Sequence, residues 1–468
     1  MAGPMLICAA FTLFAGAFLW QFSTNRLRSA VLLSVVLLLF FSYGHLYHFI
    51  EKSGLTADPK IALAGYGVIC AIVIVLCVRT IKNWQRATLL FNLFGLGLLA
   101  IPFLSTVTIF FKDSQSLNHS EKHTQAQATS EKPDIFYIIL DGYPRKDVLQ
   151  KLHQFDNSGF LDFLKTKNFR ILENSHSNYP GTSLSLASSL NYSYLDDLVP
   201  QKEIRSGNRW FLKKLIEKNR TLEFLKNQGY ETAAFDSGYF ATEMKTVDHF
   251  YATGLFLNEF HEALLDTTPA WVVFKNIGRY EMQRRRILNI LENLANVRGT
   301  SRPVFVFAHV MALHPPFVFG PDGEERNDNR SSLKFWQDFG EPTPEERSKQ
   351  YQDQLTFINK KVQAAVEAIL ANRRRPVLIV LQGDHGSSFV PQERGDDFLQ
   401  ERFSILNAIL LPTENQLYDS MSPVNTFRVI FNSLFQTSLP LLDDRSFYSR
   451  RDEPYQLKEV TYRLNTRL

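Results

Sequence analysis

The chain has 468 residues, of which 45% are hydrophobic and 21% are charged, and its formal net charge is +4. This length exceeds one ordinary domain and suffices for two or three. Residues 1–111 contain seven basic and two acidic residues, and the remainder is nearly neutral, which argues against a nucleic-acid-binding protein. The only cysteines are Cys8, Cys70 and Cys77, so the later part has no disulfide, thiolate metal site or cysteine nucleophile.

Four apolar runs without interior charges lie within residues 1–111. Each reaches or approaches the length that spans a bilayer, roughly 18 to 25 residues. They predict an N-terminal bundle of about four transmembrane helices, over Met5–Phe22, Ser29–Ile50, Ile61–Val78 and Ala87–Phe111.

The loops between these runs differ in charge, and Lys and Arg are enriched on the cytoplasmic side of membranes. Basic residues follow the first run and the third run, at Arg26, Arg28, Arg79, Lys82 and Arg86. The pattern predicts a multi-pass protein of a bacterial cytoplasmic (inner) membrane. Everything after Phe111 is then expected in the periplasm or at the cell exterior.

A polar segment, residues 112–132, is predicted to be a flexible linker. After it, in residues 133–468, short apolar runs alternate with amphipathic stretches, which predicts an α/β domain with a mostly parallel sheet. The predicted strands are Asp134–Leu140, Thr232–Phe235, Pro303–His309, Val377–Gln382 and Ser404–Leu411. The predicted helices are Leu161–Lys167, Thr221–Gln228, Tyr280–Asn296 and Pro344–Ala371.

In such sheets the functional site lies beyond the carboxyl ends of the strands. Asp141 follows the first strand and is either a metal ligand or general base, or a turn residue. The Asp384-His385 pair, bracketed by glycines, follows another strand and is typical of a transition-metal site. His314 stands on a proline-bounded turn, whereas His309, inside a strand, is expected to be a buried structural histidine.

Thr182 follows Pro180-Gly181 at the predicted start of a helix. It is either a helix cap or a nucleophile supported by the helix N-terminus. The chain has no GxSxG elbow, Walker motif or Rossmann glycine pattern.

The order of Asp141, Thr182, His314 and Asp384-His385 resembles the alkaline phosphatase/sulfatase superfamily over roughly residues 133–440. The membrane anchor makes the chain similar to the lipoteichoic acid synthases and the phosphoglycerol and phosphoethanolamine transferases. Three departures from the family pattern stand out. The chain lacks the C/S-x-P-x-R motif of true sulfatases, and it has no histidine after His385, which favours one metal ion over two. Those transferases usually carry Glu where this chain has Asp141.

The resemblance implies an alkaline-phosphatase-like α/β/α sandwich with Thr182 as nucleophile. It implies one divalent ion, Mn or Zn, held by Asp141, Thr182, Asp384 and His385. His314 is expected to orient the phosphate or protonate a leaving group, and Arg145 and His314 to bind substrate.

The implied reaction moves a phosphoglycerol or phosphoethanolamine headgroup from a membrane phospholipid to an extracytoplasmic glycan or lipid acceptor through a phospho-Thr intermediate. Two alternatives stay open. One is a membrane-anchored hydrolase of phosphoesters or sulfoesters, and the other is a non-catalytic glycan-binding membrane protein.

Overall fold

The structure is a computed structural model that describes residues 2–21, 25–53, 59–113, 132–205, 207–253, 259–274, 279–297, 301–326, 343–373, 375–412 and 416–464. Most of the predicted linker, residues 114–131, lies outside these ranges. The contacts divide the chain into two compact units. We call them the helical unit, Met1–Lys122 with Phe256–Ile277, and the sheet unit, His123–Leu255 with Gly278–Leu468.

The elements follow one another along the chain with these bounds. The helices are α1 Ala2–Gln21, α2 Arg26–Lys52, α3 Pro59–Thr80, α4 Trp84–Asp113, α5 Lys146–His153, α6 Ser158–Thr166, α7 Thr182–Ser189, α8 Leu195–Leu198, α9 Gln201–Ile204, α10 Trp210–Glu217, α11 Arg220–Asn227, α12 Glu259–Asp266, α13 Ala270–Phe274, α14 Arg279–Asn293, α15 Pro344–Ala371, α16 Asp396–Phe403, α17 Pro423–Phe435 and α18 Thr461–Leu464. The strands are β1 Asp134–Leu140, β2 Arg170–Ile171, β3 Glu231–Phe235, β4 His249–Tyr251, β5 Val304–Val310, β6 Val377–Gln382, β7 Asn407–Leu410, β8 Phe447–Tyr448 and β9 Lys458–Glu459.

The helical unit contains α1 to α4 together with α12 and α13. Within the described residues, three stretches are long and apolar enough to cross a bilayer, namely Arg26–Glu51, Ile61–Thr80 and Trp84–Leu104. A shorter apolar stretch, Cys8–Gln21, lies in α1, where the first of the four predicted spans falls. Many apolar side chains of these helices are exposed, as lipid-facing surfaces require.

An aromatic cluster forms the described core of the helical unit. Trp271 of α13 is buried against Tyr43 and Tyr47 of α2 and Tyr66 of α3. The ring centroids of Trp271 and Tyr47 lie 5.3 Å apart. A segment more than 180 residues later in the sequence therefore completes the packing of the N-terminal helices.

The backbone of α2 also meets this later segment directly. The Gly44 N–H donates to the Thr267 carbonyl at 3.0 Å, and a Cβ on Gly44 would lie 1.8 Å from the Asp266 carbonyl oxygen. Only glycine permits this approach. One turn along α2, the His48 ring lies between Glu51 and Asp266, 3.2 Å from an oxygen of each.

The sheet unit is built on a seven-stranded sheet of order β2-β7-β6-β1-β5-β3-β4. Strands β6, β1, β5, β3 and β4 are parallel. At one edge β7 pairs antiparallel with β6, and β2 pairs antiparallel with β7. A separate ribbon pairs β8 with β9. The central position of β1, between β5 and β6, places the ends of three strands side by side.

Helices cover both faces of the sheet, because side chains alternate between the faces of a strand. In β1, Phe136 and Ile138 belong to one apolar core, whereas Ile135 and Ile139 belong to the other. All seven β1 residues are buried. This arrangement confirms the prediction of an apolar helical region followed along the chain by an α/β domain.

Strands β1 and β6 have the predicted bounds, β3 begins one residue earlier than predicted, and β5 begins and ends one residue later. The predicted strand Ser404–Leu411 is shorter, Asn407–Leu410, since Ser404 forms an isolated bridge with His176 instead. Strands β2 and β4 were not predicted. They have only two and three residues, which is too short for a pattern of alternating apolar and polar residues to be visible.

Candidate functional site

Asp141, Asp384 and His385 meet at the carboxyl ends of β1 and β6. One ligand atom from each lies within 4.8 Å of the others, and all three residues are buried. His385 Nε2 lies 3.4 Å from Asp384 Oδ2 and 3.9 Å from Asp141 Oδ1. Since β1 and β6 are neighbours, their ends bring together residues 243 positions apart.

Two buried carboxylate oxygens of this cluster have no hydrogen-bond donor among the described residues. They are Asp141 Oδ1 and Asp384 Oδ2. Burying an unpaired anionic oxygen is costly. A divalent cation satisfies both oxygens at once, so the donor set fits a metal ion with mixed oxygen and nitrogen ligands.

Glycines allow the close backbone contacts that bring the ligands together. Gly142 has a φ of +69°, and its N–H donates to Asp384 Oδ1 at 3.1 Å. On the other side of the pair, a Cβ on Gly386 would lie 1.8 Å from the Glu401 carbonyl oxygen. A positive φ at Gly142 and close packing at Gly386 are therefore the two reasons for glycine beside the ligands.

Thr182 is the first residue of α7, and Gly181 is its N-cap. The hydroxyl therefore does not cap the helix. It points to the cluster, with Oγ1 3.4 Å from Asp141 Oδ2 and 3.2 Å from His385 Nε2. Of the two interpretations left open by the sequence, the position at the helix N-terminus beside a metal-ligand set favours the nucleophile.

The protonation states of the cluster suit metal binding. Burial raises the pKa of Asp141, but the hydrogen bond from His309 and the neighbouring His385 and His314 outweigh it, so this pKa lies below that of an ordinary aspartate. Burial and, to a smaller extent, the positive charge of Arg402 lower the pKa of His385. The carboxylates of Asp384 and Asp141 act in the opposite direction but do not outweigh them. His385 Nδ1 donates to the Gly386 carbonyl at 2.8 Å, so Nε2 of the neutral ring keeps its lone pair.

His309, expected to be structural, lies directly behind the cluster. It is fully buried, and its Nε2 donates to Asp141 Oδ2 at 3.1 Å. Its Nδ1 lies 2.8 Å from Thr242 Oγ1. Both ring nitrogens of His309 therefore have hydrogen-bond partners, as predicted for a buried structural histidine. The ring also fixes the orientation of Asp141, a candidate metal ligand, as residues around metal ligands commonly do.

The last turn of α16 holds the loop that follows His385. The buried Glu401 carboxylate accepts hydrogen bonds from Ser387 Oγ at 2.8 Å and from the N–H groups of Phe389 and Val390 at 2.9 and 2.7 Å. His153 Nε2 contacts the same Ser387 Oγ at 2.8 Å. The loop is therefore anchored along its first five residues.

Arg402, the next residue, joins this loop to the segment that carries Thr182. Its Nε donates to the Pro180 carbonyl at 2.6 Å, and its Nη1 donates to the Gly386 carbonyl at 3.2 Å. Nη1 also bonds Ser388 Oγ. Sequence reasoning missed this residue, because its partners are as far as 222 positions away and no local pattern marks it.

We expect Arg402→Ala to lower turnover and metal affinity by about 10- to 100-fold, the usual effect of losing an outer-shell partner. The reason is that two loops, one carrying Thr182 and one following His385, lose their common donor. Steady-state kinetics and metal titration measure both effects. Arg394→Ala is the matched control, since Arg394 makes an exposed ion pair with Asp397, which contributes little. Equal kinetics in the two variants would contradict the positioning role.

His314 lies exposed on the turn after β5. Its Nδ1 donates to the Pro315 carbonyl at 2.7 Å. Its charge contributes to the lowered pKa of Asp141, although the His314 side chain itself is exposed to solvent. This position suits exchange of a proton with substrate or water.

Arg145 is engaged elsewhere. Its guanidinium donates twice to Asp147, at 2.7 and 2.8 Å, and contacts His176 Nε2 at 3.2 Å. With its neighbours it lines a cavity of about 410 Å³ between α5 and the segment after β2. Among the described residues it makes no hydrogen bond to the cluster, so the structure does not bring Arg145 together with the other predicted site residues.

The family model described as Sulfatase matches residues 133–423. The chain belongs to the sulfatase family, and through it to the enzymes of the alkaline phosphatase superfamily. This confirms the resemblance stated above. No curated protein matches the chain in sequence.

Several solved structures are similar to the chain at low identity. The periplasmic domain of EptC from Escherichia coli, in complex with Zn, is 12% identical with a TM-score of 0.49, over 73% of this chain and 95% of that one. The lipoteichoic acid synthase LtaP from Listeria monocytogenes is 12% identical with a TM-score of 0.41, over 70% and 78%. The phosphoglycerol transferase GacH from Streptococcus pyogenes, in complex with sn-glycerol-1-phosphate, is 15% identical with a TM-score of 0.41, over 66% and 76%.

Proposed function

We propose that this enzyme transfers a phosphate-linked headgroup, phosphoglycerol or phosphoethanolamine, from a membrane phospholipid to an extracytoplasmic glycan or lipid acceptor. One observation carries the proposal. The Thr182 hydroxyl lies within hydrogen-bond reach of both Asp141 and His385, beside two buried carboxylate oxygens without donors. A nucleophile and a metal-ligand set thus share one site.

The residues present would hold one divalent ion, Mn or Zn, through Asp141, Asp384, His385 and Thr182. When bound, the ion lowers the pKa of the Thr182 hydroxyl and polarises a phosphoryl oxygen. His309 keeps Asp141 oriented, and Arg402 keeps the two loops together.

The reaction proceeds as a double displacement. In the first step Thr182 Oγ1 releases its proton to water and forms a bond to phosphorus. The bond from phosphorus to the diacylglycerol oxygen breaks, and that oxygen takes a proton from His314. In the second step an acceptor hydroxyl gives its proton to His314 and bonds to phosphorus, while Thr182 leaves and regains a proton from water.

The membrane anchor supports a lipid donor. The apolar helices precede the catalytic domain, and the chain carries no nucleotide-binding glycine loop. On the outer side of a bacterial membrane, where ATP is absent, phospholipids are the available phosphoryl donors. A catalytic domain tethered there works beside their headgroups.

This topology gives a direct prediction. A reporter that is active only outside the cytoplasm should work when fused after Lys132 and fail when fused after Arg86, because the basic loops face the cytoplasm. Reporter activity in cells carrying each fusion is the measurement, and a cytoplasmic reporter at the same two positions is the control. The reverse pattern would exclude an external enzyme.

The donor is tested with labelled lipids. Detergent-solubilised protein is incubated with phosphatidylglycerol and phosphatidylethanolamine together, and release of diacylglycerol from each is followed. We expect faster release from phosphatidylglycerol, because the His314-Pro315-Pro316-Phe317 turn resembles that of the phosphoglycerol transferases, and a glycerol headgroup needs donors rather than a carboxylate partner.

The outcomes separate the alternatives. Faster turnover of phosphatidylethanolamine would change the headgroup and keep the reaction class. Consumption of a soluble phosphate ester, with neither lipid cleaved, would favour the hydrolase, in which water takes the place of the acceptor.

A further inference from the structure

Two aromatic side chains that the reaction scheme does not use form a stacked pair on the surface of the sheet unit. The rings of Trp210 and Phe240 lie 5.5 Å apart between centroids, with 20° between their planes. Each residue is 44% exposed. Among the described residues after residue 131, only four large hydrophobic residues are more than 40% exposed, the other two being Leu441 at 42% and Tyr462 at 68%. Two of the four are therefore in mutual contact.

The pair lies at the end of α7 that carries the nucleophile. Phe240 follows Tyr239, whose hydroxyl is 3.3 Å from Ser183 Oγ, and Ser183 follows Thr182. At the opposite end of α7, Asn191 donates to the Leu215 carbonyl of α10 at 2.9 Å. Helices α7 and α10 thus run side by side, and α10 begins with Trp210 at the catalytic end.

The pair is held in place from beneath. The Lys213 ammonium lies 5.4 Å from the centroid of the Phe240 ring and bonds the Glu243 carbonyl. The backbone N–H of Trp210 donates to Asn208 Oδ1 at 2.9 Å, which fixes the start of α10. With Phe240 stacked against it, the indole of Trp210 still exposes part of its surface to solvent.

We propose that the Trp210–Phe240 pair binds a sugar ring of a glycan acceptor and thereby directs one of its hydroxyls toward Thr182. This deepens the proposed function and rests on it. The face of an aromatic ring is electronegative, and the C–H groups on one side of a pyranose are weakly positive, so the two surfaces stack.

The size and surroundings of the pair favour a sugar over a membrane. One indole matches one hexose ring in size, and the polar residues Asn208 and Arg209 precede it. Membrane insertion uses a much larger apolar face, as in amphipathic interfacial helices.

The test measures binding of neutral gluco-, manno- and galacto-oligosaccharides to the full-length protein in detergent by saturation-transfer NMR and titration. We expect at least one oligosaccharide to bind, and Trp210→Ala and Phe240→Ala to weaken it about tenfold or more. Trp210→Tyr should retain most of the affinity because it keeps an aromatic face. Tyr462→Ala, which removes an exposed aromatic outside the pair, is the matched control and should bind as the parent does.

Failure of this proposal and failure of the proposed function are distinguishable. Absence of binding to every oligosaccharide, or equal binding by Trp210→Ala and Tyr462→Ala, would overturn the sugar site while diacylglycerol release by the parent protein still supports the transferase. Intact sugar binding by Trp210→Ala, together with slower diacylglycerol release from phosphatidylglycerol, would also overturn it by identifying a lipid contact. Sugar binding without any diacylglycerol release would support the sugar site at the Trp210–Phe240 pair and contradict the proposed transferase activity.

Discussion

Thr182→Ala is expected to lower turnover of the donor lipid by about a thousandfold or more, as removal of a nucleophile does in other enzymes. The substitution removes the only hydroxyl that lies within hydrogen-bond reach of both Asp141 and His385 among the described residues. Diacylglycerol release, followed with a labelled lipid, is the measurement. Thr182→Ser keeps an attacking oxygen and should recover a measurable part of the activity.

Ser183→Ala is the matched control for this prediction. Ser183 is the adjacent hydroxyl, but its Oγ faces Tyr239 at 3.3 Å and not the metal-ligand cluster. We expect this variant to retain activity within about tenfold of the parent. Loss of activity in Ser183→Ala together with activity in Thr182→Ala would move the nucleophile by one residue.

We expect the parent to bind one divalent ion per chain, and His385→Ala and Asp384→Ala to abolish this binding while the sheet unit stays folded. Each removes a ligand atom from a set that offers few. Elemental analysis gives the stoichiometry. Because an ion that binds the folded state stabilises it by mass action, added Mn or Zn should raise the Tm of the parent and leave the Tm of either variant unchanged.

His249→Ala controls for the loss of a histidine as such. His249 pairs with Glu231 at 3.2 Å on strand β4 and belongs to no candidate metal cluster in the described part of the chain. It should keep the ion and the metal-dependent rise in Tm. Full occupancy in both His385→Ala and Asp384→Ala would show that the metal site lies elsewhere.

The part of the site that the sequence could predict consists of residues at the ends of strands. Asp141, Asp384 and His385 follow long buried strands, and parallel strands align such residues at one edge. Their convergence was therefore foreseeable without coordinates. Thr182 required the helix boundary as well, since the position of Gly181 as N-cap is what excludes a capping role for this threonine.

Residues that act through distant contacts were not foreseeable. The Arg402 guanidinium reaches Pro180, and the role of His309 beside Asp141 depends on the register of β1 with β5. Arg145 was expected to bind substrate from the resemblance alone, whereas in the structure its guanidinium donates to Asp147, two residues on. Side-chain pairing of this kind leaves no periodic pattern in a sequence.

The packing of Trp271 against Tyr43, Tyr47 and Tyr66 has a consequence for preparing the enzyme without its anchor. A fragment that begins at Lys132 retains α12 and α13 but loses every aromatic partner of Trp271 in that cluster. The indole would then be open to water, and fragments would associate through it. A well-behaved soluble fragment therefore requires a short hydrophilic replacement for 256–277 as well as removal of the N-terminal helices.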